Sequence, residues 1–284
     1  MADLSGYKIN NWFLEEPLDL DGIKIIQTGR YFCERGTVIP TTLHEDFFEY
    51  TIITKGKGTI FTNDKEIPVS KNDIYVSFPF DKHGIKSSES DPLKYDHIAF
   101  SVQSPVYREA LMQVTEKYYP PEFRVISDAR IKYLVWCIID EFNEKRPFFN
   151  EILLNAVYTV IAYTVRDFNE KNTPSTLENA TQKEIFCNRI MNYIDTNIYD
   201  IENLSDLGKV TNYNYSYISA LFRETTGVTL RDYYINRKLE IADMLINSSE
   251  LKVNAIAEKL HYSSGNALTK AYVKKYGIPP KKAR

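Results

Sequence analysis

The chain has 284 residues, of which 43% are hydrophobic and 26% charged, with a net charge of −3. That length predicts about two domains, and the ordinary composition excludes fibrous and low-complexity classes. No apolar run approaches the roughly 18 residues of a bilayer span, and Cys33, Cys137 and Cys187 fit neither a disulfide framework nor a zinc knuckle. The opening MADLSGYKINNWFLEEPLD carries no basic-then-apolar leader, so the reading is a cytoplasmic protein with no membrane partner, in a reducing compartment.

Residues Ile23 to Val102 read as short strands. Tyr50–Thr54 is a brief β-branched run, Lys55–Gly58 a turn, and Thr59–Thr62 the next strand. Asn63-Asp64 marks another turn, and Ile67–Val69 and Ile74–Phe78 are further strands, the last stopped by Pro79. Strands this short with such punctuation predict a small barrel or sandwich. Glu49, Thr51 and Ile53 share one strand face, and Tyr50, Ile52 and Thr54 the other; the pattern leaves open which of them points inward.

His44 lies five residues before Glu49, and Glu49 seven before Gly56; Asn72-Asp73 then leads through Ile74–Phe78 to Pro79 and His83. In this order the segment resembles a cupin barrel, as found in the sensor halves of bacterial regulators. The resemblance implies that His44, Glu49 and His83 form an effector-binding set at the barrel mouth. It also puts Thr42, a poor ligand, at the fourth position of the metal-binding pattern. Three protein ligands plus water are enough for a divalent cation. The reading adopted is nevertheless a pocket for a small organic effector, with no metal and no other cofactor.

Beyond the barrel the pattern turns helical. Tyr107–Tyr118 is a short helix stopped by Pro120-Pro121. Ser127–Lys145 opens on Ser127 as N-cap and carries Ile131, Leu134, Val135, Ile138 and Phe142 at helical spacing. Phe149–Lys171 is apolar over more than one face, which predicts burial on the barrel and either internal packing or a homodimer surface on the other side. The polar stretch 172–182 reads as a linker. The expected domains are therefore 1–171 for effector sensing and dimerisation, then 183–284.

The charge changes sign between the two parts. From Thr181 onward there are 15 Lys and Arg against 11 Asp and Glu, a net of +4, whereas the preceding part carries 20 against 27, a net of −7. Only the later part has the balance expected of a face that meets phosphate. Its organising stretch is the helix-like run Thr229–Ser248. On either side lie segments that look like copies: Ile218, Leu221, Phe222 and Gly227 recur as Leu268, Ala271, Tyr272 and Gly277, fifty residues on. Leu204, Leu207 and Tyr213 recur as Val253, Ile256 and Tyr262, forty-nine on. Two helix-turn-helix units joined by a stiff helix suit two neighbouring segments of DNA major groove.

Lys183–Asn197 is expected to brace the first unit through Ile185, Ile190, Met191 and Ile194. Asn203 reads as an N-cap with Asp206 three residues on, and Asn212 suits a left-handed turn position. Asn214 caps the first recognition helix, Tyr215–Glu224, leaving Ser216, Ser219, Ala220 and Arg223 on its open side. In the second unit Val253, Ile256 and Leu260 support the turn 261–264. Ser264, Gly265, Asn266, Thr269 and Lys270 are then presented to DNA, with Leu268 and Tyr272 facing in. Asparagine pairs with adenine and lysine with guanine or phosphate, so discrimination is expected mainly from the second unit. Tyr213, Tyr215 and Tyr217 read as packing or phosphate contacts. Arg237 is open between phosphate and an ion pair with Asp232 or Glu240; Lys274, Lys275, Lys281 and Lys282 read as a solvated tail of which some touch the DNA backbone.

These residues resemble the AraC/XylS-type transcriptional regulators. The resemblance rests on Leu221-Phe222-Arg223-Glu224-Thr225-Thr226-Gly227, Arg237-Lys238-Leu239 with Ala242 and Leu245, Ile256-Ala257-Glu258 and Gly277-Ile278-Pro279-Pro280. It implies paired reading of adjacent major grooves by Ser216, Ser219, Ala220, Gly265, Asn266 and Lys270. His261 departs from the family's usual Gly, and Ala283 from its usual aromatic residue. The expected fold is α+β multidomain: a cupin-like β-barrel plus helices, then an all-α pair of helix-turn-helix units. The expected function is regulation, including activation, of transcription by a homodimer that binds double-stranded promoter DNA and a small-molecule effector, in the family typically a sugar or related metabolite. RNA polymerase is a further partner if the protein activates. Two alternatives stay open: a metal-dependent cupin enzyme fused to DNA-binding helices, and a ligand-independent regulator controlled by protein contacts.

Overall fold

Alternating side chains build the first half of the chain into two antiparallel sheets. In this computed structural model the described residues are 9–10, 16–43, 46–170, 182–211, 213–248 and 251–280. They fall into two compact units, Met1–Glu178 and Asn179–Arg284. His44, most of the expected linker, Asn212, Lys281, Lys282 and Ala283 lie outside the described residues.

The strands of the first unit are β1 (Ile9–Asn10), β2 (Leu18–Leu20), β3 (Ile23–Phe32), β4 (Val38–Leu43), β5 (Phe48–Lys55), β6 (Lys57–Thr62), β7 (Lys65–Ser70), β8 (Ile74–Ser77), β9 (Lys82–Ser87), β10 (Lys94–Val102) and β11 (Val125–Ile126). One sheet runs β1-β3-β10-β5-β8-β11 with β2 on β3, the other β4-β9-β6-β7. The β6–β7 hairpin turns on Asn63 and Asp64, both left-handed with φ of 47° and 65°, the mirror-image turn that matches strand twist. The turn expected over Lys55–Gly58 is narrower than that, because Lys57 and Gly58 already pair with Ser70 and Val69. Within it Gly56 alone has a positive φ, 78°, which glycine adopts without strain, and a Cβ there would sit 2.1 Å from the Pro92 carbonyl oxygen.

Both faces of β5 are buried, which is why its sequence shows no clean alternation. Phe48, Tyr50 and Ile52 join the core beneath the helices, whereas Ile53 packs with Ile60, Ile67 and Ile85 of the opposite sheet. Glu49 and Thr51, sharing the parity of Ile53, therefore face the space between the sheets. Three helices cover the other side: α1 (Pro105–Lys117), α2 (Ala129–Glu144) and α3 (Phe149–Glu170). Leu153, Val157, Val160 and Ile161 of α3 are fully buried, each contributing about 1.5–3 kcal/mol. Asp128, and not Ser127, caps α2: its carboxylate accepts from the Arg130 N–H at 2.6 Å, while Ser127 donates its hydroxyl to the Asn72 carbonyl. A charged acceptor at the helix N-terminus outcompetes a neutral hydroxyl.

The second unit is helical: α4 (Gln182–Thr196), a 3-10 turn (Leu204–Asp206) running into α5 (Leu207–Thr211), α6 (Tyr215–Thr226), α7 (Leu230–Ser248), α8 (Val253–Lys259) and α9 (Gly265–Tyr276). Asn203 makes no side-chain cap, and Asp206 instead pairs with Lys209 at 2.7 Å. The first support helix accordingly starts as a tight 3-10 turn. Thr229 caps α7 by accepting from the Asp232 N–H at 3.0 Å. Leu230, Tyr234, Leu239, Ile241, Ala242, Leu245 and Ile246 of α7 are buried, so this helix forms the spine of the unit. Ile185 is 36% exposed, whereas Ile190 and Ile194 are buried as expected.

Candidate nucleic-acid interface and ligand cavity

The two recognition helices carry matching caps fifty residues apart. Asn214 Oδ1 accepts from the Tyr217 N–H at 2.8 Å and Ser264 Oγ from the Ala267 N–H at 3.1 Å. Gly227 and Gly277 close α6 and α9 in the left-handed conformation, at φ of 79° and 75°. Each helix buries the stripe expected of it, Ile218, Leu221 and Phe222 in one, Leu268 and Tyr272 in the other. On the open side of α6 the exposed residues are Ser216, Ala220 and Arg223, with Asn214 at its start and Ser219 half-buried. On α9 they are Asn266 and Lys270, with Thr269 half-buried. Ser264 is exposed, although its hydroxyl is already engaged in the cap.

Two of the residues read as DNA contacts are not available for that role. Gly265 is buried, and the space where its Cβ would be is filled by the Asn254 amide, 2.0 Å away. Arg237 is 8% exposed; its Nε donates to Asp195 at 2.8 Å and its Nη1 to Glu240 at 2.5 Å. It braces α7 against α4, the ion-pair role left open by the sequence, with Asp195 as the partner that helical spacing could not show. Lys275 is also engaged, at 3.1 Å from both Glu240 and the Asn236 carbonyl, although like Lys274 it is exposed. Tyr213 and Tyr217 stack at 5.1 Å, and Phe186 meets Tyr213 edge-on at 5.3 Å, so these half-exposed tyrosines pack on one another.

In the first unit, register brings the polar residues of the inner strand faces together. Glu49 on β5 lies between Ser77 and Ala99, and His83 on β9 between Thr42 and Thr62. Their side chains meet at 3.4 Å, His83 Nε2 to Glu49 Oε1, both buried. Beside them is a cavity of about 250 Å³, with Gln27, Tyr31, Thr42 and Tyr95 also in its wall. Burial disfavours the His83 imidazolium, yet the Glu49 carboxylate holds its pKa above the ordinary value.

The sequence reading missed His97. It stands on β10 between Thr51 and Gly29, is 3% exposed, and lines the same cavity. Neither of its ring nitrogens has a hydrogen-bond partner among the described residues. Burial pushes its pKa down, and the nearby His83 acts in the same direction against Glu49, so it is a neutral ring that offers one donor and one acceptor. Tyr31 and Tyr95 stack at 5.4 Å next to it. The signal was in KYDHIAFSV, where His97 shares a face with Tyr95 and Ala99; what was lacking was the pairing of β10 with β5. No three His, Cys, Asp or Glu side chains converge as a metal site among the described residues.

Comparison with known proteins agrees with both halves. Residues 25–159 match the model of an AraC-like ligand binding domain, and residues 207–284 that of a helix-turn-helix domain. The Msm operon regulatory protein of Streptococcus mutans is 20% identical over 97% of this chain and 97% of that protein. The HTH-type transcriptional activator RhaR of Mannheimia succiniciproducens is 23% identical over 86% of this chain and 87% of that protein. Among solved structures, ToxT from Vibrio cholerae bound to (E)-4-(8-methylnaphthalen-1-yl)but-3-enoic acid shares the fold, with a TM-score of 0.50 at 12% identity over 92% of this chain and 97% of that one. With an AraC-like ligand-binding half ahead of two capped helix-turn-helix units, the chain belongs to the AraC-type transcriptional regulators.

Proposed function

We propose that this regulator senses a small polar molecule in the cavity between its sheets and that the occupied cavity changes its affinity for promoter DNA. The observation that carries the reading is His97, a buried imidazole whose two nitrogens lack partners in a cavity shared with the Glu49–His83 pair. A buried polar ring without partners is costly to the fold and marks a place where a ligand supplies the missing bonds. No lysine or arginine is among the described residues of the cavity wall, and His83 is already paired with Glu49, so a carboxylate or phosphate would meet Glu49 with no cation left to balance it. An uncharged hydroxylated molecule fits better, in line with a sugar or related metabolite.

DNA contact is assigned to Asn214, Ser216, Ser219, Ala220, Arg223, Asn266, Thr269 and Lys270, with discrimination carried mainly by Asn266 and Lys270. A role as homodimeric cytoplasmic activator that engages RNA polymerase belongs to the same reading. Sugars and related polyols are tested by thermal shift on wild type and His97→Leu, then by selection from a random DNA pool with and without the hit. Stabilisation of the wild type alone, together with a changed DNA yield, is expected. Equal stabilisation of both proteins would remove His97 from the site.

A further inference from the structure

We propose that His261 is a positioning residue, tying the turn of the second helix-turn-helix unit to the first half of the DNA-binding unit and so setting the spacing between the two segments of DNA that the protein accepts. This rests on the reading of α6 and α9 as paired DNA readers. His261 occupies the left-handed region, at φ 52°, where any residue with a Cβ is disfavoured and glycine is the easy choice. Retaining a side chain there needs a compensating contact, and one is present: His261 Nε2–H donates to the Tyr199 carbonyl at 2.7 Å, across 62 residues.

Tyr199 belongs to the turn that follows α4, on the side of the first reader. That turn is itself fixed, since the Ile201 N–H donates to the Asn197 carbonyl at 3.0 Å and the Tyr234 hydroxyl of α7 donates to the Ile201 carbonyl. The surrounding contacts converge on the same junction. Lys259, at the end of α8, lies 4.6 Å from the Tyr199 ring. Lys238 of α7 is buried between the rings of Tyr234 and Tyr262, at 4.3 Å and 5.5 Å. The second turn is thus held at two points, on α7 and directly on the loop of the first half. With α7 alone as the connection, the second unit could rock about one helix; the His261 bond removes that freedom. Readers held at a fixed separation tolerate only the DNA spacing that matches them.

The test titrates the full-length protein with a duplex selected from a random pool, and with the same duplex carrying one, two or three extra base pairs between its two elements. His261→Gly keeps the turn and loses the tether. His261→Asn also tolerates the left-handed backbone, but its side chain is too short for Tyr199. Both variants are expected to melt near the wild-type temperature and to bind the unaltered duplex about three- to tenfold more weakly. The ratio of affinities between unaltered and extended duplexes should shrink in both, and His261→Gln, which keeps a terminal N–H donor at similar reach, should restore much of it. Wild-type discrimination that persists unchanged in the folded Gly and Asn variants would overturn the inference alone. A wild type that binds none of the duplexes would overturn the DNA reading and this inference with it.

Discussion

At the scale of single residues, exposure and prior engagement separate recognition from architecture. Asn266 and Lys270 project from α9 into solvent, so Asn266→Ala and Lys270→Ala should each weaken binding to a selected site by roughly 1–3 kcal/mol and binding to random DNA by less. Fluorescence anisotropy on both duplexes checks this; equal losses would make them phosphate contacts. Arg237 is the opposite case. Its guanidinium is spent on Asp195 and Glu240, and Arg237→Ala should lower unfolding free energy by roughly 3 kcal/mol. The salt dependence of DNA binding should stay unaltered, as read by denaturant melts and titrations at several salt concentrations. The sequence left both roles of Arg237 open because its main partner is 42 positions away, on a different helix. His97 was illegible for a related reason: a histidine in a buried strand shows its purpose only when the neighbouring strand brings Glu49 to the same cavity.

At the scale of elements, local chemistry was legible where it is local. Asn214 caps its helix as read, since a side-chain oxygen at an N-cap needs no tertiary partner, and Gly227 and Gly277, read only as matched repeat positions, turn out to be left-handed C-caps. The cap of α2 was misplaced by one residue because Asp128 and Ser127 are both good candidates, and the charge of Asp128 decided between them. That junction also carries a pH response. Burial, with the charge of Asp128 adding to it, raises the Asp167 carboxyl on α3 from an ordinary 3.8 to about 6. A folded-state value above the unfolded one means that the fold holds the proton more tightly, so stability is lost as pH rises from about 4 to 6. Asp167→Asn should therefore melt higher than wild type at pH 8 and show no such advantage near pH 4. Thermal melts across that range measure it, and an advantage independent of pH would contradict the assignment.

At the scale of the whole molecule, the two units divide the work that the family resemblance implied. Tyr133 and Trp136 stack on the outer face of α2, 64% and 43% exposed, and Ile152 of α3 is 40% exposed. A homodimer, as proposed above, would use the exposed Tyr133–Trp136 pair, since large apolar groups in water mark association surfaces. Sedimentation should show a dimer for the wild type and a monomer for Trp136→Glu, and a monomeric wild type would remove the assignment. What the sequence determined by itself was the repeat, the Asn214 cap, the strand-rich first half and the family, because periodicity and turn chemistry act over a few residues and leave their pattern in the order of the chain. What only the tertiary structure decided was which face of β5 lines the cavity, that His97 joins Glu49 and His83 there, that Arg237 braces a helix, and that His261 reaches Tyr199. Each of these depends on segments far apart in the chain being brought within a few ångströms, and side-chain pairing at that range is set by packing and strand register, which no local pattern encodes.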